Sequence, residues 1–232
     1  MFRKKDRFKN NKTARALITK LNPRSPVSEQ YRTIRTNLQF SSVDENMQTI
    51  MLTSSGPGEG KSMTAANLAV VYAKQDKKVL LIDADLRKPT VHYTFGLNNL
   101  SGLSNVLVGE SNLEDAISMT DVPGLEVMSC GPIPPNPSEL LGSKRMKALI
   151  QHARQSYDMI IFDTPPVLAV TDAQILANQC DGALLVVRSK VTDTEGAKKA
   201  VELLSAGDTK ILGTVLNDVE AKNSNYYYYY GT

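Results

Sequence analysis

Three glycines, a lysine and three serines lie close together in residues 54–62, which read SSGPGEGKS. An apolar segment precedes this stretch and a helical pattern follows it, so it lies between a strand and a helix. Glycines let a backbone approach a charged group closely, with its N–H groups directed inward. The start of the following helix adds a dipole that favours an anion. Together these features predict a loop that binds phosphate.

The order of residues in this loop predicts what each one binds. Lys61 is expected to reach the β- and γ-phosphate oxygens of a nucleoside triphosphate, and the Ser62 hydroxyl to bind Mg²⁺. The usual pattern, GxxxxGK[ST], begins with glycine where this chain has Ser55, but the position between strand and helix supports the assignment. The expected nucleotide-binding residues of the loop are Gly56, Pro57, Gly58, Glu59, Gly60, Lys61, Ser62 and Met63.

Carboxylates stand at the ends of two further apolar segments. Residues 80–89 read LLIDADLRKP, and Asp83 and Asp85 in this stretch point to the same side if the chain stays extended. Asp163 directly follows the apolar run 159–162, an arrangement usually found close to bound Mg²⁺. We expect four side chains to converge on one metal ion: Ser62, Asp83, Asp85 and Asp163.

The same carboxylates could serve acid–base chemistry. Asp83 is expected to take a proton from an attacking hydroxyl, although Asp83 and Asp85 could exchange these roles. Arg87 is expected to steady the transferring phosphate, whereas the alternative is a solvated turn with local ion pairs. Asn217 closes the last apolar segment and is expected to contact the nucleotide base. No glutamate follows Asp163 where many ATPases activate water, which weakens a purely hydrolytic role.

Strands and helices alternate along the chain that carries these residues. Apolar runs predict strands buried on both faces at residues 49–53, 78–83, 125–129, 159–162, 183–187 and 210–216. Periodic segments predict a helix capped by Ser28 and helices at residues 61–75, 138–156, 172–178 and 195–206. The fold class is therefore α/β, a P-loop NTPase-like, mostly parallel sheet with helices on both faces. Ligands of such sheets lie beyond the carboxyl ends of the strands, where the charged motifs fall.

Bulk properties suit one globular domain. The chain has 232 residues, of which 41% are hydrophobic and 22% charged. Its two cysteines lie far apart, which argues against a disulfide framework or a zinc site. Without an apolar run of membrane-spanning length or a signal peptide, the expected location is the cytoplasm. We divide the chain into a basic arm (1–24), a P-loop domain (25–219) and a tail (220–232).

Both ends of the chain have an unusual composition. The first twenty residues carry eight basic side chains against one acid, Asp6. This arm is either simply solvated or contacts anionic lipid headgroups or nucleic acid, and the lack of a base-reading motif favours lipid. The tail contains five consecutive tyrosines, Tyr226 to Tyr230, out of nine in the chain. It therefore presents a cluster of phenol groups.

These motifs together resemble the bacterial protein-tyrosine kinases, in particular the stand-alone form of Gram-positive capsule and exopolysaccharide operons. The resemblance covers about residues 25–232 and rests on PGEGKS, LLIDADLRKPT, IIFDTPP, GPIPPNPSELL and the tyrosine run. It also rests on Glu29, Arg32 and Arg35, which are spaced three apart and fall on roughly one helix face.

The resemblance implies a function for each part of the chain. The protein would bind ATP and Mg²⁺ and phosphorylate tail tyrosines in trans: Tyr226, Tyr227, Tyr228, Tyr229 and Tyr230. The row of Glu29, Arg32 and Arg35 would hold a ring of subunits, with an octamer as one candidate size. A transmembrane activator would recruit the protein to the inner membrane face, a protein-tyrosine phosphatase would oppose it, and polysaccharide synthesis would be regulated. No nucleic acid partner is expected.

Two other functions share part of the pattern. A partition-type P-loop ATPase could act as a switch without phosphorylating protein, but such ATPases carry a signature lysine early in the loop, where this chain reads Ser54-Ser55-Gly56. The tyrosine run also argues against this reading. A catalytically silent scaffold, whose tail binds partners, is the third hypothesis.

Overall fold

The computed structural model describes residues 17–41 and 47–220. Seven strands form one sheet, and their bounds are β1 Thr49–Ser54, β2 Val79–Asp83, β3 Ile117–Met119, β4 Leu125–Met128, β5 Met159–Asp163, β6 Gly182–Arg188 and β7 Ile211–Asn217. Their order across the sheet is β3-β4-β2-β5-β1-β6-β7. All neighbours pair in parallel except β3 and β4, which are antiparallel. The predicted parallel α/β sheet is confirmed.

The helices of the described residues are α1 Ile18–Leu21, α2 Pro26–Phe40, α3 Lys61–Ala73, α4 Val91–Phe95, α5 Leu103–Val108, α6 Pro137–Leu141, α7 Lys144–Ser156, α8 Asp172–Ala177 and α9 Thr194–Ser205. None of them combines the length and the apolar character needed to cross a bilayer.

The core has one layer on each face of the sheet. On one face α2 and α3 pack over strand residues such as Ile50 and Leu81. On the other face α5 to α9 pack over the strand residues adjacent in sequence to these, such as Met51 and Leu80. Alternate strand residues therefore enter opposite layers, which explains why every residue of β1 and β2 is buried. The P-loop helix α3 is buried almost all round.

Two helices differ from the sequence-based predictions. The predicted cap Ser28 lies inside α2, and Ser25 is the cap, because its hydroxyl accepts the N–H of Ser28 at 3.1 Å and Pro26 supplies a suitable first residue. The single helix predicted over 138–156 is two helices, α6 and α7. Ser143 interrupts it with an extended backbone (ψ 160°) and caps α7 through the N–H of Met146.

The described end of the basic arm packs onto the domain. α1 lies within the segment predicted as an arm, and Thr19 is buried there. The N–H and hydroxyl of Thr19 donate to the side-chain oxygen of Asn67, in α3, at 3.0 and 2.8 Å. The packed domain therefore begins earlier than the predicted boundary at residue 25. Residues 1–16 of the arm lie outside the described residues.

Candidate functional site

The phosphate-binding loop leaves β1 and enters α3 with the backbone that its glycines permit. Gly58 and Gly60 have φ values of 79° and 95°, in the left-handed region that other residues rarely adopt. A Cβ on Gly60 would lie 2.0 Å from the side-chain nitrogen of Asn217. Glycine is therefore required at position 60 for two reasons: its left-handed backbone angle and the close approach of Asn217 at the end of β7.

Glu59 connects this loop to the ends of β6 and β7. Its Oε2 accepts the N–H of Ser55 at 2.9 Å, and its Oε1 accepts the hydroxyl of Thr192, beyond β6, at 2.8 Å. The Nδ2 of Asn217 donates to the carbonyl oxygen of Glu59 at 3.0 Å. These contacts fix the loop at Ser55, the position where the usual glycine is absent. Asn217 thus lies against the loop, and its predicted contact with a base stays a prediction.

Lys61 lies between two carboxylates at the carboxyl ends of β2 and β5. Its Nζ is 3.1 Å from Asp85 Oδ2, 3.1 Å from Asp163 Oδ1 and 3.2 Å from Ser62 Oγ. Burial disfavours the charged ammonium, but the carboxylates of Asp163 and Asp85 outweigh it and raise the pKa of Lys61. Lys61 is therefore positively charged, at the position where the sequence predicts binding of phosphate oxygens.

Asp83 ends β2 directly beside Asp163, its register partner on β5. Its Oδ2 accepts the N–H groups of Thr90 and Val91, both at 2.9 Å, and so holds the start of α4. Burial and the neighbouring Asp163 raise the pKa of Asp83 to about 7, although the Val91 N–H and Lys61 act in the opposite direction. This carboxyl can therefore gain or lose a proton near neutral pH.

Asp85 shapes the loop that follows β2. Its Oδ1 accepts the N–H of Lys88 at 3.0 Å, while its Oδ2 faces Lys61. Both Asp83 and Asp85 are buried: Asp85 contacts Lys61, and Asp83 is the register partner of Asp163. The structure thus brings together all four residues expected to hold the metal ion, with Ser62 hydrogen-bonded to Lys61.

The chemistry of these groups fits Mg²⁺. The Oδ2 of Asp163 is buried and accepts no hydrogen bond from the described residues, so it is an unused anionic oxygen. Within the described ranges, no three carboxylate, imidazole or thiol side chains form a complete metal cage. Mg²⁺ usually binds one or two carboxylates and completes its octahedron with water and substrate phosphates. The residues therefore suit a metal that arrives with a nucleotide.

Arg87 does not join the carboxylate cluster. Its Nε and Nη2 donate to the two oxygens of Asp172, at 2.8 and 3.0 Å, in a bidentate pair. Burial would raise the pKa of Asp172, but the hydrogen bonds from Arg87 and Ser138 hold it below its ordinary value. The predicted contact of Arg87 with a transferring phosphate is thus replaced here by an internal ion pair. Asp172 was missed because no motif marks it.

The predicted oligomerisation row lies on α2, but its members have contacts within the chain. Arg32 pairs with Glu29 and donates to the carbonyl oxygen of Pro23 at 2.7 Å. Arg35 turns towards α3 and donates to the carbonyl oxygen of Val71 at 2.8 Å. Arg35 is therefore tied to the helix that begins at Lys61. The predicted phosphate acceptors, Tyr226 to Tyr230, lie outside the described residues.

Comparison with known proteins agrees with this arrangement. A family model described as "AAA domain" matches residues 47–211. The tyrosine-protein kinase YwqD of Bacillus subtilis (strain 168) is 54% identical over 224 residues, covering 97% of this chain and 94% of YwqD.

Solved structures of similar fold agree with the sequence comparison. The kinase domain of the Escherichia coli tyrosine kinase ETK superposes with a TM-score of 0.86 at 36% identity, covering 90% of this chain and 82% of that one. The septum site-determining protein MinD of Pyrococcus horikoshii, complexed with Mg-ADP, superposes with a TM-score of 0.61 at 27% identity, covering 73% and 69%. The chain belongs to the family of bacterial tyrosine-protein kinases and has their P-loop fold.

Proposed function

We propose that this protein transfers the γ-phosphate of ATP to tyrosines of its own C-terminal run, Tyr226 to Tyr230, in trans between subunits. The observation that carries the proposal is the position of Lys61 between Asp85 and Asp163, beside Ser62 and Asp83. One cation and three carboxylates lie directly after a phosphate-binding loop, which is the set of groups that phosphoryl transfer requires.

Binding of the triphosphate rests on the loop and Lys61. The backbone N–H groups between Gly56 and Ser62 surround the phosphates, and the contacts of Glu59 hold this backbone in place before ATP arrives. The Lys61 ammonium neutralises charge on the β- and γ-phosphates. Because the transition state is loose, positioning and charge neutralisation supply most of the rate acceleration.

Mg²⁺ would be held by Ser62, Asp85 and Asp163, with Asp83 beside it, and it would supply further neutralisation of the phosphate oxygens. In the described structure the Lys61 ammonium forms ion pairs with Asp85 and Asp163. This charge offsets the repulsion between the Asp85 and Asp163 carboxylates.

We assign the general base to Asp83. A tyrosine hydroxyl has an ordinary pKa of about 10 and needs a proton acceptor as it attacks. The raised pKa of Asp83, about 7, suits proton transfer near neutral pH. Asp85 is the alternative, because it lies on the same loop and keeps a small exposed fraction, 5% against 0% for Asp83.

The assembly proposal follows from the family resemblance. Glu29, Arg32 and Arg35 would contact a neighbouring subunit in a ring, so that one subunit's tail enters the next subunit's site at high effective concentration. A transmembrane activator would recruit the ring to the inner membrane face, and a phosphatase would reverse the modification. Each added phosphate carries nearly two negative charges, so that repulsion would expel the modified tail. Polysaccharide synthesis is the process we expect to be regulated.

Mass spectrometry of the tail tests the proposal. The protein is incubated with ATP and Mg²⁺, with and without the cytoplasmic segment of its activator, and phosphotyrosine is counted on residues 221–232. We expect several phosphates on the wild-type tail and a large loss of label when Tyr226 to Tyr230 are replaced by Phe, with nucleotide affinity unchanged. Release of free phosphate alone would instead support the ATPase switch.

A further inference from the structure

The pair between Arg87 and Asp172 has no part in the function proposed above. Arg87 follows Asp85 by two residues on the loop after β2, and Asp172 is the first residue of α8. We propose that Asp172 is a positioning residue for phosphate transfer: through Arg87 it holds the loop of Asp83 and Asp85 in place beside Asp163. The inference rests on the proposed function and deepens it.

Two acids at the start of the loop after β2 accept backbone N–H groups from residues further along it. Asp83 accepts the N–H groups of Thr90 and Val91, and Asp85 accepts the N–H of Lys88. These bonds shape the loop internally, and the Ala84 N–H, which donates to the carbonyl oxygen of Asp163 at 2.8 Å, joins its first residue to β5. The residues further along the loop need a contact of their own. The Arg87 side chain provides one, since it reaches from this loop to the segment that follows Asp163.

The Asp172 end of the pair is firmly anchored. Asp172 is fully buried at the first turn of α8, and the Ser138 hydroxyl of α6 donates to its Oδ1 at 2.6 Å. Nη2 of Arg87 also lies 3.3 Å from Ser138 Oγ. Two helices therefore fix the carboxylate that holds Arg87. Ser138 belongs to the motif GPIPPNPSELL, which neither nucleotide binding nor proton transfer uses.

The bidentate geometry of the pair fixes the orientation of the Arg87 side chain. A planar guanidinium that donates two parallel hydrogen bonds fixes orientation as well as distance, and a lysine would keep the charge without that orientation. A misplacement of about 1 Å at a catalytic group can lower a rate about 100-fold. Asp172 therefore influences the carboxylates that touch the substrate, although its own side chain is turned to Arg87.

The chain contains a matched control pair at the opposite edge of the sheet. Arg154 and Asp181 form an ion pair at 2.6 Å, and Asp181 accepts the N–H groups of Gln48 and Thr49 where β1 begins. This pair joins α7 to the amino ends of the strands, whereas the site lies at their carboxyl ends. Neutralising Asp181 should therefore cost stability without affecting phosphate transfer.

The experiment compares Asp172→Asn, Arg87→Lys, Arg87→Ala and Ser138→Ala with Asp181→Asn in the full-length protein. Three quantities are measured: the melting temperature without ligand, the Mg²⁺ concentration that half-saturates binding of a fluorescent ATP analogue, and the single-turnover rate of phosphate transfer. We expect Asp172→Asn to lower the rate about 10- to 100-fold and to raise the half-saturating Mg²⁺ concentration. Arg87→Lys should resemble it, and Ser138→Ala, which keeps the ion pair, should show a smaller change in the same direction.

The control decides between positioning and general stability. Asp181→Asn should lower the melting temperature at least as much as Ser138→Ala while leaving the Mg²⁺ dependence and the rate unchanged. The inference is wrong if Asp172→Asn changes only the melting temperature, as Asp181→Asn does. It is also wrong if Arg87→Ala abolishes transfer while Asp172→Asn is active, because Arg87 would then act on the phosphate itself. A wild-type protein that binds nucleotide but labels no tyrosine would defeat the proposed function, and the Mg²⁺ dependence of binding would still test the positioning role.

Discussion

Lys61 Nζ lies 3.1 Å from the buried Oδ1 of Asp163, so the cation of the phosphate-binding loop is bonded to the acid that ends β5. The two residues are 102 positions apart in sequence and meet because β1 and β5 are parallel neighbours. In the ligand-free protein this contact compensates charges that would otherwise be buried alone. Its replacement by phosphate and metal contacts would link nucleotide binding to the arrangement of the carboxylates.

Replacing Lys61 tests this compensation. Lys61→Met is expected to destabilise the ligand-free protein by about 3 kcal/mol, because it leaves buried carboxylates without their cation. The double variant with Asp163→Asn should recover part of that loss, giving a coupling energy of about 1–3 kcal/mol in a denaturant-unfolding cycle. Strictly additive effects of the two changes would show that the ion pair contributes nothing in solution.

The close approach of Gly60 to Asn217 gives a second prediction. Gly58→Ala and Gly60→Ala both place a Cβ on a left-handed backbone, which costs about 1–2 kcal/mol. Only at Gly60 does that Cβ also collide with Asn217, whereas nothing lies within 4 Å at Gly58. ATP affinity should therefore fall further in Gly60→Ala, and Asn217→Ala should relieve part of its loss of stability. Equal effects of the two glycine changes would contradict the collision.

Arg35 is expected to have a role within the subunit as well as any role between subunits. It donates to the carbonyl oxygen of Val71, one of the last carbonyls of α3, which lack partners inside the helix. Arg35→Ala should destabilise the isolated subunit by about 1–2 kcal/mol, measured by chemical denaturation at a concentration where no oligomer forms. Glu29→Ala, on the exposed side of α2, should cost less than about 0.5 kcal/mol under the same conditions. If the two variants were equally stable, Arg35 would have no stabilising role within the subunit, and a role in assembly would remain.

Asp181 gives a prediction about acid stability. Burial alone would raise the pKa of Asp181, but the Arg154 guanidinium and the N–H groups of Thr49 and Gln48 hold it below its ordinary value. A carboxyl with a lowered pKa stabilises the fold above the pKa of the unfolded chain, about 4, and this contribution is lost as the pH falls below it. Asp181→Asn should be less stable than wild type at pH 7, and the difference should shrink towards pH 3. A difference independent of pH would contradict the assignment.

Much of the fold could be predicted from the sequence because its signals are local. Mainly apolar runs marked six of the seven strands, and the glycine pattern before Lys61 marked the start of α3. The short antiparallel strand β3 was missed, since its three residues, two of them apolar, are too few to show a strand pattern. The break between α6 and α7 was also missed, because it depends on the capping hydroxyl of Ser143.

The site was only partly predictable for a similar reason. Motifs placed Lys61, Asp83, Asp85 and Asp163 at one edge of the sheet, where the structure has them. Arg87 is paired with Asp172, the first residue of α8, and Glu59 with Thr192, in the loop after β6. Neither partner belongs to a recognisable motif. Only the three-dimensional arrangement shows that Arg87 faces an acid within the chain.

A structure of the protein with a non-hydrolysable ATP analogue and Mg²⁺ tests the central claim most directly. The account predicts the triphosphate in the loop of residues 54–62, the Ser62 hydroxyl at about 2.1 Å from the metal, and a carboxylate of Asp85 or Asp163 in its first or second coordination sphere. Lys61 should turn from the carboxylates to the β- and γ-phosphate oxygens. A nucleotide bound elsewhere, or a metal ion remote from all three aspartates, would contradict the account.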